Sequence, residues 1–179
     1  DENGITFTWQ GTGEGGSNEN LYARRMKADG TFDWGGATTS VCVADGQQSN
    51  FYAEKSGDYY YITWADGRPG TDPGNYDIYA QKFDLNGIVS WQENGILAVS
   101  LNTYIPYPKF GFFDDNSMII CHQSTANNGF VAQKVMDDGT IPWDADGNQI
   151  CVKELNPFYS EHTEIYTGDK TIAVWVKSN

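Results

Sequence analysis

The chain has 179 residues, of which 39% are hydrophobic and 15% aromatic, enough to form the core of an all-β fold. Its 24 acidic and 11 basic residues give a formal net charge of −13, and the absence of a basic stripe argues against a nucleic-acid partner. No apolar run approaches the ~20 residues that cross a bilayer, so we predict no membrane span. No signal peptide is recognisable, and because the chain starts at Asp1 we expect a processed or excised piece of a larger protein.

Three similar phrases recur along the chain: YARRMKADGTFDW (22–34), YAQKFDLNGIVSW (79–91) and VAQKVMDDGTIPW (131–143). In each, an alternating apolar and polar run reaches an Asp-Gly or Asn-Gly pair, and a Trp follows four residues after the Gly. These dipeptides accept the positive φ of a two-residue hairpin turn, so each copy predicts a β-hairpin.

A second landmark recurs in step with the first. It is a polar turn residue followed six residues later by a bulky side chain, in the pairs Asn3 and Trp9, Asp58 and Trp64, Asn116 and His122, and Asp169 and Trp175. Two landmarks in phase, at a period of about 55 residues, indicate an internal repeat of the kind that forms propeller blades.

The predicted elements are four strands per repeat, named a to d. The first repeat opens with strand b at 4–10 and the last stops after strand b at 171–177; the middle repeat has strands at 51–57, 59–66, 76–84 and 89–100. No stretch has the 3.6-residue apolar spacing of a capped helix, so we expect almost no helix.

We therefore predict an all-β protein of β-propeller blades, with about three four-stranded antiparallel blades and part of another. The blade-like repeats lie approximately at 1–46, 47–100, 101–154 and, incomplete, 155–179. Known propellers use about 4–8 blades, so we expect an excerpt of a larger propeller, completed by further blades of the same protein or by another subunit. Unpaired edge strands favour association, and we expect the isolated piece to aggregate or oligomerise.

The segment ITWADGR…YDIYAQKFDLNGIVSWQENGILAVS (62–100) resembles the blade repeat of large secreted proteins of the Bacteroidetes type, which often end in a type IX secretion sorting domain. That resemblance implies a propeller and a secreted or cell-surface location rather than an activity. The first copy lacks the D-x-R motif after Trp9, and the third reads CHQSTANNG instead. A similar phrase occurs in quinoprotein propellers, where the Trp docks one blade onto the next; we interpret Trp34, Trp91 and Trp143 in the same way.

The candidate ligand-binding residues lie in b–c loops and d–a connections, which share one face of a propeller. Aromatic rings beside amide and carboxylate groups suit sugar rings, and the same aromatics could instead pack between blades. In the loop WADGRPGTDPGNYD a single cation is surrounded by carboxylates, and we expect Arg68 to pair with Asp66 or Asp77. The candidates are Tyr104, Tyr107, Phe158, Tyr159, Asp66, Arg68 and Asp77.

Metal-like spacing occurs in the segment DADGN, where Asp144, Asp146 and Asn148 are weak calcium candidates. An EF-hand loop needs Gly and Glu where this chain has Gln149 and Leu155, and the segment aligns with the turn QENG of the preceding repeat. We therefore predict no cofactor, with calcium as the weak exception.

The positions of the cysteines in the repeat predict that their side chains pack against other residues and do not react. Cys42 and Cys151 fall at equivalent apolar positions of repeats that are not neighbours, which makes a disulfide between them geometrically unfavourable. Cys121 precedes His122, and this pair occupies strand b, where the other repeats place a Trp. We favour a packing role over a reactive Cys–His pair.

Two functions remain open at this stage. The first is a non-catalytic secreted or cell-surface propeller that binds a glycan or a cell-surface protein, or that acts as a scaffold. The alternative is a glycan-cleaving propeller enzyme, which needs two carboxylates about 5 to 10 Å apart. Strand a offers Glu54 and Glu164, which do not occupy equivalent positions of the repeat, so the non-catalytic function is favoured.

Overall fold

A computed structural model of the protein describes residues 4–12, 18–68, 74–103, 107–113, 115–124, 129–152, 163–166 and 172–175. The strands are β1 (Gly4–Thr12), β2 (Glu19–Lys27), β3 (Thr39–Cys42), β4 (Gln48–Ser56), β5 (Tyr59–Asp66), β6 (Tyr76–Asp84), β7 (Ile96–Thr103), β8 (Lys109–Phe112), β9 (Met118–Ser124), β10 (Gly129–Val135), β11 (Asn148–Val152), β12 (Thr163–Tyr166) and β13 (Ile172–Trp175).

The strands form antiparallel sheets in which sequence neighbours pair. Their orders are β1-β2-β3 in the first sheet, β4-β5-β6-β7 in the second, β8-β9-β10-β11 in the third and β12-β13 in the fourth. In the described ranges the helical content is a single 3-10 turn at Trp34–Gly36. The predicted all-β class is therefore confirmed, as is the near absence of helix; no helix in this part of the chain is long and apolar enough to cross a bilayer.

The last strand of the second sheet begins later than the sequence pattern predicts. In the second sheet, β5 and β6 have the predicted bounds, but β7 starts at Ile96 rather than at residue 89. The reason is a tight turn in which the Gly95 N–H donates to the Gln92 carbonyl at 2.9 Å, with Asn94 and Gly95 both at positive φ. Trp91 therefore precedes the strand instead of lying on it, and Trp34 and Trp143 likewise lie outside strands.

The Asp-Gly and Asn-Gly turns also differ from the prediction. Only the glycines have positive φ, at 83°, 79° and 87° for Gly30, Gly87 and Gly139, so these are not two-residue turns with two left-handed residues. The Lys27 N–H donates to the Thr31 carbonyl at 2.8 Å and the Gly30 N–H to the Lys27 carbonyl at 3.0 Å. This is a three-residue loop that ends in a left-handed glycine.

Successive sheets pack face to face through two apolar clusters. The first sheet contributes Leu21 and Ala23 to a cluster that includes Ile62 and Trp64 of the second sheet. The other cluster joins the second sheet to the third. Its members are nearly completely buried: Tyr61, Ile78, Ala80, Ala98, Val99, Phe110, Met118, Ile120 and Val135. The core is therefore divided into layers between sheets.

The repeated tryptophans connect one sheet to the next. The Trp34 indole N–H donates to the Leu85 carbonyl at 2.7 Å, and its ring meets Phe83 edge-on. In the same way, the Trp91 indole N–H donates to the Asp137 carbonyl at 3.1 Å. Both carbonyls lie two residues before the glycine of the following Asn-Gly or Asp-Gly turn. The predicted docking role is thus confirmed for Trp34 and Trp91.

Each docked tryptophan lies against a glycine of the turn that it contacts. The absence of a side chain on that glycine leaves room for the indole ring. A Cβ at Gly87 would lie 2.7 Å from the Trp34 ring, and a Cβ at Gly139 would lie 2.9 Å from the Trp91 ring. Both distances are well inside van der Waals contact, so a larger residue would force the ring away. Each glycine therefore serves its turn and the contact between sheets.

We expect Trp34→Ala to lower the free energy of unfolding by about 3 kcal/mol, because it removes a large packed ring and leaves the Leu85 carbonyl without its donor. Trp34→Phe keeps much of the ring and should recover about half of that loss. Urea denaturation measures both. Ile88→Ala, at an exposed side chain near the same turn, is the control; an equally large effect there would contradict the role of Trp34.

We also expect stability to fall in acid. The pKa values of Asp29, Asp115 and Asp138 are lowered by hydrogen bonds from Thr31, Ser117 and Thr140, and that of Asp115 falls to about 2. Because the pKa of each of these carboxyls is lower in the folded protein than in the unfolded chain, its ionised form stabilises the fold at neutral pH. For Asp115 this stabilisation is lost as pH falls from 3.8 towards about 2. Urea midpoints measured across this range should fall less steeply in Asp115→Asn; an identical acid profile would contradict it.

Candidate functional site

The loop between β5 and β6 contacts the connection between the first and second sheets. The Gly67 N–H donates to the Gln47 carbonyl at 2.8 Å, and a Cβ at Gly46 would lie 2.5 Å from the Gly67 carbonyl oxygen. A b–c loop and a d–a connection therefore meet at one edge of the sheets, as the sequence predicts. We call this the loop edge, formed by the ends of β1 and β2 and by residues 43–47, 66–68 and 74–76.

A group of polar side chains is hydrogen-bonded at the loop edge, and we call it the Glu19 cluster. The Glu19 Oε2 atom accepts from the amides of Gln10 and Gln47, each at 2.6 Å. The Tyr76 hydroxyl donates to Gln47 Oε1, also at 2.6 Å. Glu19 is half-buried, Gln47 is exposed and Tyr76 is buried, so the cluster presents a carboxylate and amides at the surface, with the phenol behind them.

Two buried polar side chains follow the cluster at the start of β4. Neither polar atom of the fully buried Gln48 amide has a hydrogen-bond partner in the described part of the chain, and the same holds for the Ser49 hydroxyl. A buried polar group left without a partner costs ~1–3 kcal/mol. The start of β4 therefore holds unused donors and acceptors close in sequence to Gln47.

The predicted ion pair of Arg68 is confirmed, with Asp66 as its partner. Arg68 Nε and Nη2 donate to the two carboxylate oxygens of Asp66 at 2.9 and 2.7 Å, and the Arg68 backbone N–H donates to Asp66 Oδ1 at 2.9 Å. Burial lowers the pKa of Arg68, but the hydrogen bond and the charge of Asp66 outweigh it and raise the pKa overall. The geometry is the bidentate arrangement that fits guanidinium to carboxylate.

The Asp66–Arg68 pair joins the first two sheets. Asp66, which is fully buried, also accepts from the Trp64 indole N–H at 2.7 Å. The Arg68 guanidinium lies over the Tyr79 ring at 3.6 Å and donates to the Asn94 carbonyl at 2.9 Å. Asn94 Oδ1 in turn accepts from the Val43 N–H at 2.8 Å. These contacts occupy the polar atoms of Asp66 within the protein.

Two of the other predicted ligand-binding residues, Asp77 and Tyr107, lie within the described part of the chain. Asp77 accepts from the Leu101 backbone N–H at 2.7 Å, between β6 and β7. Tyr107 is 68% exposed, in the connection before β8. Tyr104, Phe158 and Tyr159 lie outside the described residues. The structure thus places Asp66 and Arg68 in one contact network and gives no grouping for the four aromatic candidates.

The calcium candidates form a structural turn. The Gly147 N–H donates to the Asp144 carbonyl at 2.9 Å, and the Gln133 amide donates to that carbonyl at 2.7 Å. The same pair of bonds occurs one repeat earlier at the Gln92 carbonyl. Asp146 lies in the turn and Asn148 starts β11. Within the described ranges, no three His, Cys, Asp or Glu side chains are grouped to hold a metal ion.

Burial makes the two described thiols poor nucleophiles. Cys42 and Cys121 are free and buried, and burial raises their pKa values to about 11 and about 12. This supports the predicted packing role, since the thiolate is the reactive form. The side chain of Cys151 lies outside the described residues.

The catalytic alternative would use two carboxylates, Glu54 and Glu164. Of these, only Glu54 has a described side chain. Burial raises its pKa, and it accepts from the Tyr52 hydroxyl at 3.4 Å. Glu164 is in β12, but its side chain is not among the described ones. The structure therefore gives no distance between the two carboxylates.

The sequence analysis did not single out the Glu19 cluster. Its members come from β1, β2, the connection before β4 and the start of β6, and no motif links them. The available signal was the density of amide and acidic side chains in the two segments QGTGEGGSNENL and DGQQSN. Only the antiparallel pairing of β1 with β2 brings Gln10 and Glu19 together.

The comparisons with known proteins assign no family to this chain. No protein-family model, curated protein or solved structure matches it. The antiparallel all-β architecture therefore follows from the strand pairing itself.

We expect Arg68→Met to lower the free energy of unfolding by about 3 kcal/mol, because it leaves the carboxylate of Asp66 buried without its cation. Thermal and urea denaturation give the measurement. Lys134→Met is the matched control, because it removes an ion pair with Asp115 whose carboxylate is half exposed, and such pairs contribute about 0–1 kcal/mol. Equal losses in the two variants would show that Arg68 does not hold a buried charge.

Proposed function

We propose that this protein is a non-catalytic, secreted or cell-surface module of β-propeller blades that binds a glycan or protein or acts as a scaffold. The Glu19 cluster at the loop edge is the observation that carries the binding role. A carboxylate flanked by two amides offers both acceptors and donors to a hydroxyl-rich ligand. We take a glycan as the ligand of this edge.

The repetition of one sheet-to-sheet contact supports the blade arrangement. The second and third sheets are four-stranded meanders in the same strand order, and the first three sheets pack in series with a Trp docked on the turn of the next sheet. Radial repetition of such units is the construction principle of propellers. The resemblance of residues 62–100 to secreted blade repeats supports the location outside the cell.

The loop edge also has features that suit a ligand rather than the core alone. Gln47 and Asp45 are exposed there, and Asn18 donates to Asp45 at 3.4 Å. The amide of Gln48, which has no hydrogen-bond partner among the described residues, lies next in sequence to Gln47 and is a group that a water molecule or a ligand can satisfy. The corresponding connection one sheet later carries the exposed ring of Tyr107, and an exposed aromatic ring can cover a sugar face.

A glycan-cleaving enzyme is the second candidate function because of Glu54. Burial raises the pKa of this carboxyl on β4, as general-acid catalysis requires. Hydrolysis also needs a second carboxylate about 5 to 10 Å away, and the described side chains give Glu54 a tyrosine neighbour rather than an acid. The binding function is therefore better supported than the catalytic one.

We expect the purified chain to bind members of a glycan array, and we expect Glu19→Ala to weaken that binding about tenfold or more, as the loss of a charged hydrogen-bonding group implies. Glu93→Ala removes an exposed acid from a different turn and serves as the matched control. Circular dichroism would verify that both variants fold. Binding that is equal in the two variants would remove the Glu19 cluster from the site.

We expect no turnover of a panel of chromogenic glycosides by the wild-type chain, and no change in Glu54→Gln, because a lone carboxylic acid cannot supply both roles of glycoside hydrolysis. Release of the chromophore is measured spectrophotometrically from pH 4 to 8. Turnover that Glu54→Gln abolishes would establish the catalytic alternative in place of the non-catalytic function.

A further inference from the structure

The outer face of the first sheet is apolar and exposed. Ile5, Phe7 and Trp9 alternate along β1 and are 57%, 47% and 37% exposed. Trp9 stacks on Tyr22 of β2 at 5.9 Å, while Leu21 on the same strand is buried against the second sheet. We define the outer face by the three β1 residues and Tyr22. Its exposed aromatic and aliphatic surface lies on the side of the sheet opposite the second sheet.

The equivalent face is covered in the second sheet. By the repeat, Ile5, Phe7 and Trp9 correspond to Tyr60, Ile62 and Trp64 on β5. The last three are 9%, 0% and 0% exposed, because Leu21, Ala23, Val41 and Cys42 of the preceding sheet pack on them. The covering surface thus consists of small and medium apolar side chains on strands c and d.

The third sheet repeats this arrangement. Its corresponding residues on β9 are Met118, Ile120 and His122, which are all buried. Ile78 and Ala80 of the second sheet belong to the cluster that covers Met118 and Ile120. In the second and third sheets, the preceding sheet therefore covers this face, and the occupant of the face is in both cases a sheet of the same repeat.

The turn of the first sheet has an open position for a tryptophan. Gly30 corresponds to Gly87 and Gly139, on which Trp34 and Trp91 lie. A Cβ at Gly30 would meet nothing within 4 Å. The carbonyl two residues earlier belongs to Ala28, which corresponds to the indole acceptors Leu85 and Asp137.

We propose that the outer face of the first sheet docks another antiparallel sheet of this same repeat, whose tryptophan ring lies on Gly30 and whose indole N–H donates to the Ala28 carbonyl. Ile5, Phe7 and Trp9 are then covered by small apolar residues on strands c and d of that sheet. The proposal rests on the proposed blade arrangement, and it adds the surface, the occupant and the contact atoms. It does not depend on the ligand of the loop edge.

The repeat provides a direct test in the full chain. Residues 48–117 contain the second sheet, its Trp91 and the first strand of the third sheet, and they end immediately before Met118, the counterpart of Ile5. Placing a copy of 48–117 directly ahead of Ile5 therefore supplies a preceding sheet and an edge strand beside β1 in the native register. Hydrogen exchange read by mass spectrometry compares this extended chain with the original chain.

We expect exchange at the Gly30 turn to slow about tenfold or more in the extended chain, because the docked ring protects the turn. Trp91→Ala made only in the added copy should return the turn to its original exchange rate. Protection of the Gly30 turn that persists without this tryptophan would overturn the proposed contact.

A substitution in the outer face tests the same interface through its effect on the stability of the protein. Phe7→Asp should shift the urea midpoint far more in the extended chain than in the original chain, where Phe7 is already exposed. Ile88→Asp, at another exposed side chain, should act equally in both chains. Equal effects of Phe7→Asp in the two chains would overturn the proposal. Self-association of the original chain that Phe7→Asp abolishes, measured by sedimentation, would also overturn it if exchange at the Gly30 turn stayed fast in the associated chain, because no tryptophan of the repeat would then lie on Gly30.

Discussion

The contact of a tryptophan ring with a glycine of the next sheet is the interaction on which the architecture depends. The ring can approach the turn only because Gly87 and Gly139 lack a Cβ, and the indole N–H ends on a backbone carbonyl, which any residue provides. A sheet with an apolar face must bury that face against another layer. By fixing the turn of one sheet against the loop before the last strand of the preceding sheet, the tryptophan holds the sheets together so that these faces are buried in series.

The Asp66–Arg68 ion pair is a second kind of interaction between the first and second sheets, and it is electrostatic. The fully buried Asp66 receives the Arg68 guanidinium and the Trp64 indole, and Arg68 then reaches Asn94. A buried carboxylate is costly without such partners, so these side chains are coupled. The third sheet has His122 where the second has Trp64, and the motif that follows differs as well. The sheets therefore share their shape and the docked tryptophan, whereas the Asp66–Arg68 pair belongs to the interface of the first and second sheets.

The proposed binding role arises from the edges of this arrangement rather than from its packed layers. Strand pairing and sheet packing bury the apolar faces of the sheets. The loop that joins β5 and β6 meets the connection before β4 at one edge of the sheets. The Glu19 cluster forms there because Gln10 and Glu19 are diagonal neighbours across β1 and β2, while the second sheet and the connection before it bring Tyr76 and Gln47. A rigid support of sheets with adaptable polar loops is the usual setting of a recognition site.

The sequence by itself determined the all-β class, the period of the repeat, the bounds of β5 and β6, and the pairing of Arg68 with a nearby carboxylate. These features depend on local alternation, on glycine at positive φ and on charges close in the chain, all of which are readable from neighbouring residues. Only the tertiary structure decided the late start of β7, because Asn94 and Gly95 turn the chain before the strand begins. It also decided that the docking tryptophans lie in loops. The Glu19 cluster and the open position at Gly30 are likewise tertiary, because each joins or lacks groups from different sheets, and the distance between such groups is not encoded in their spacing along the chain.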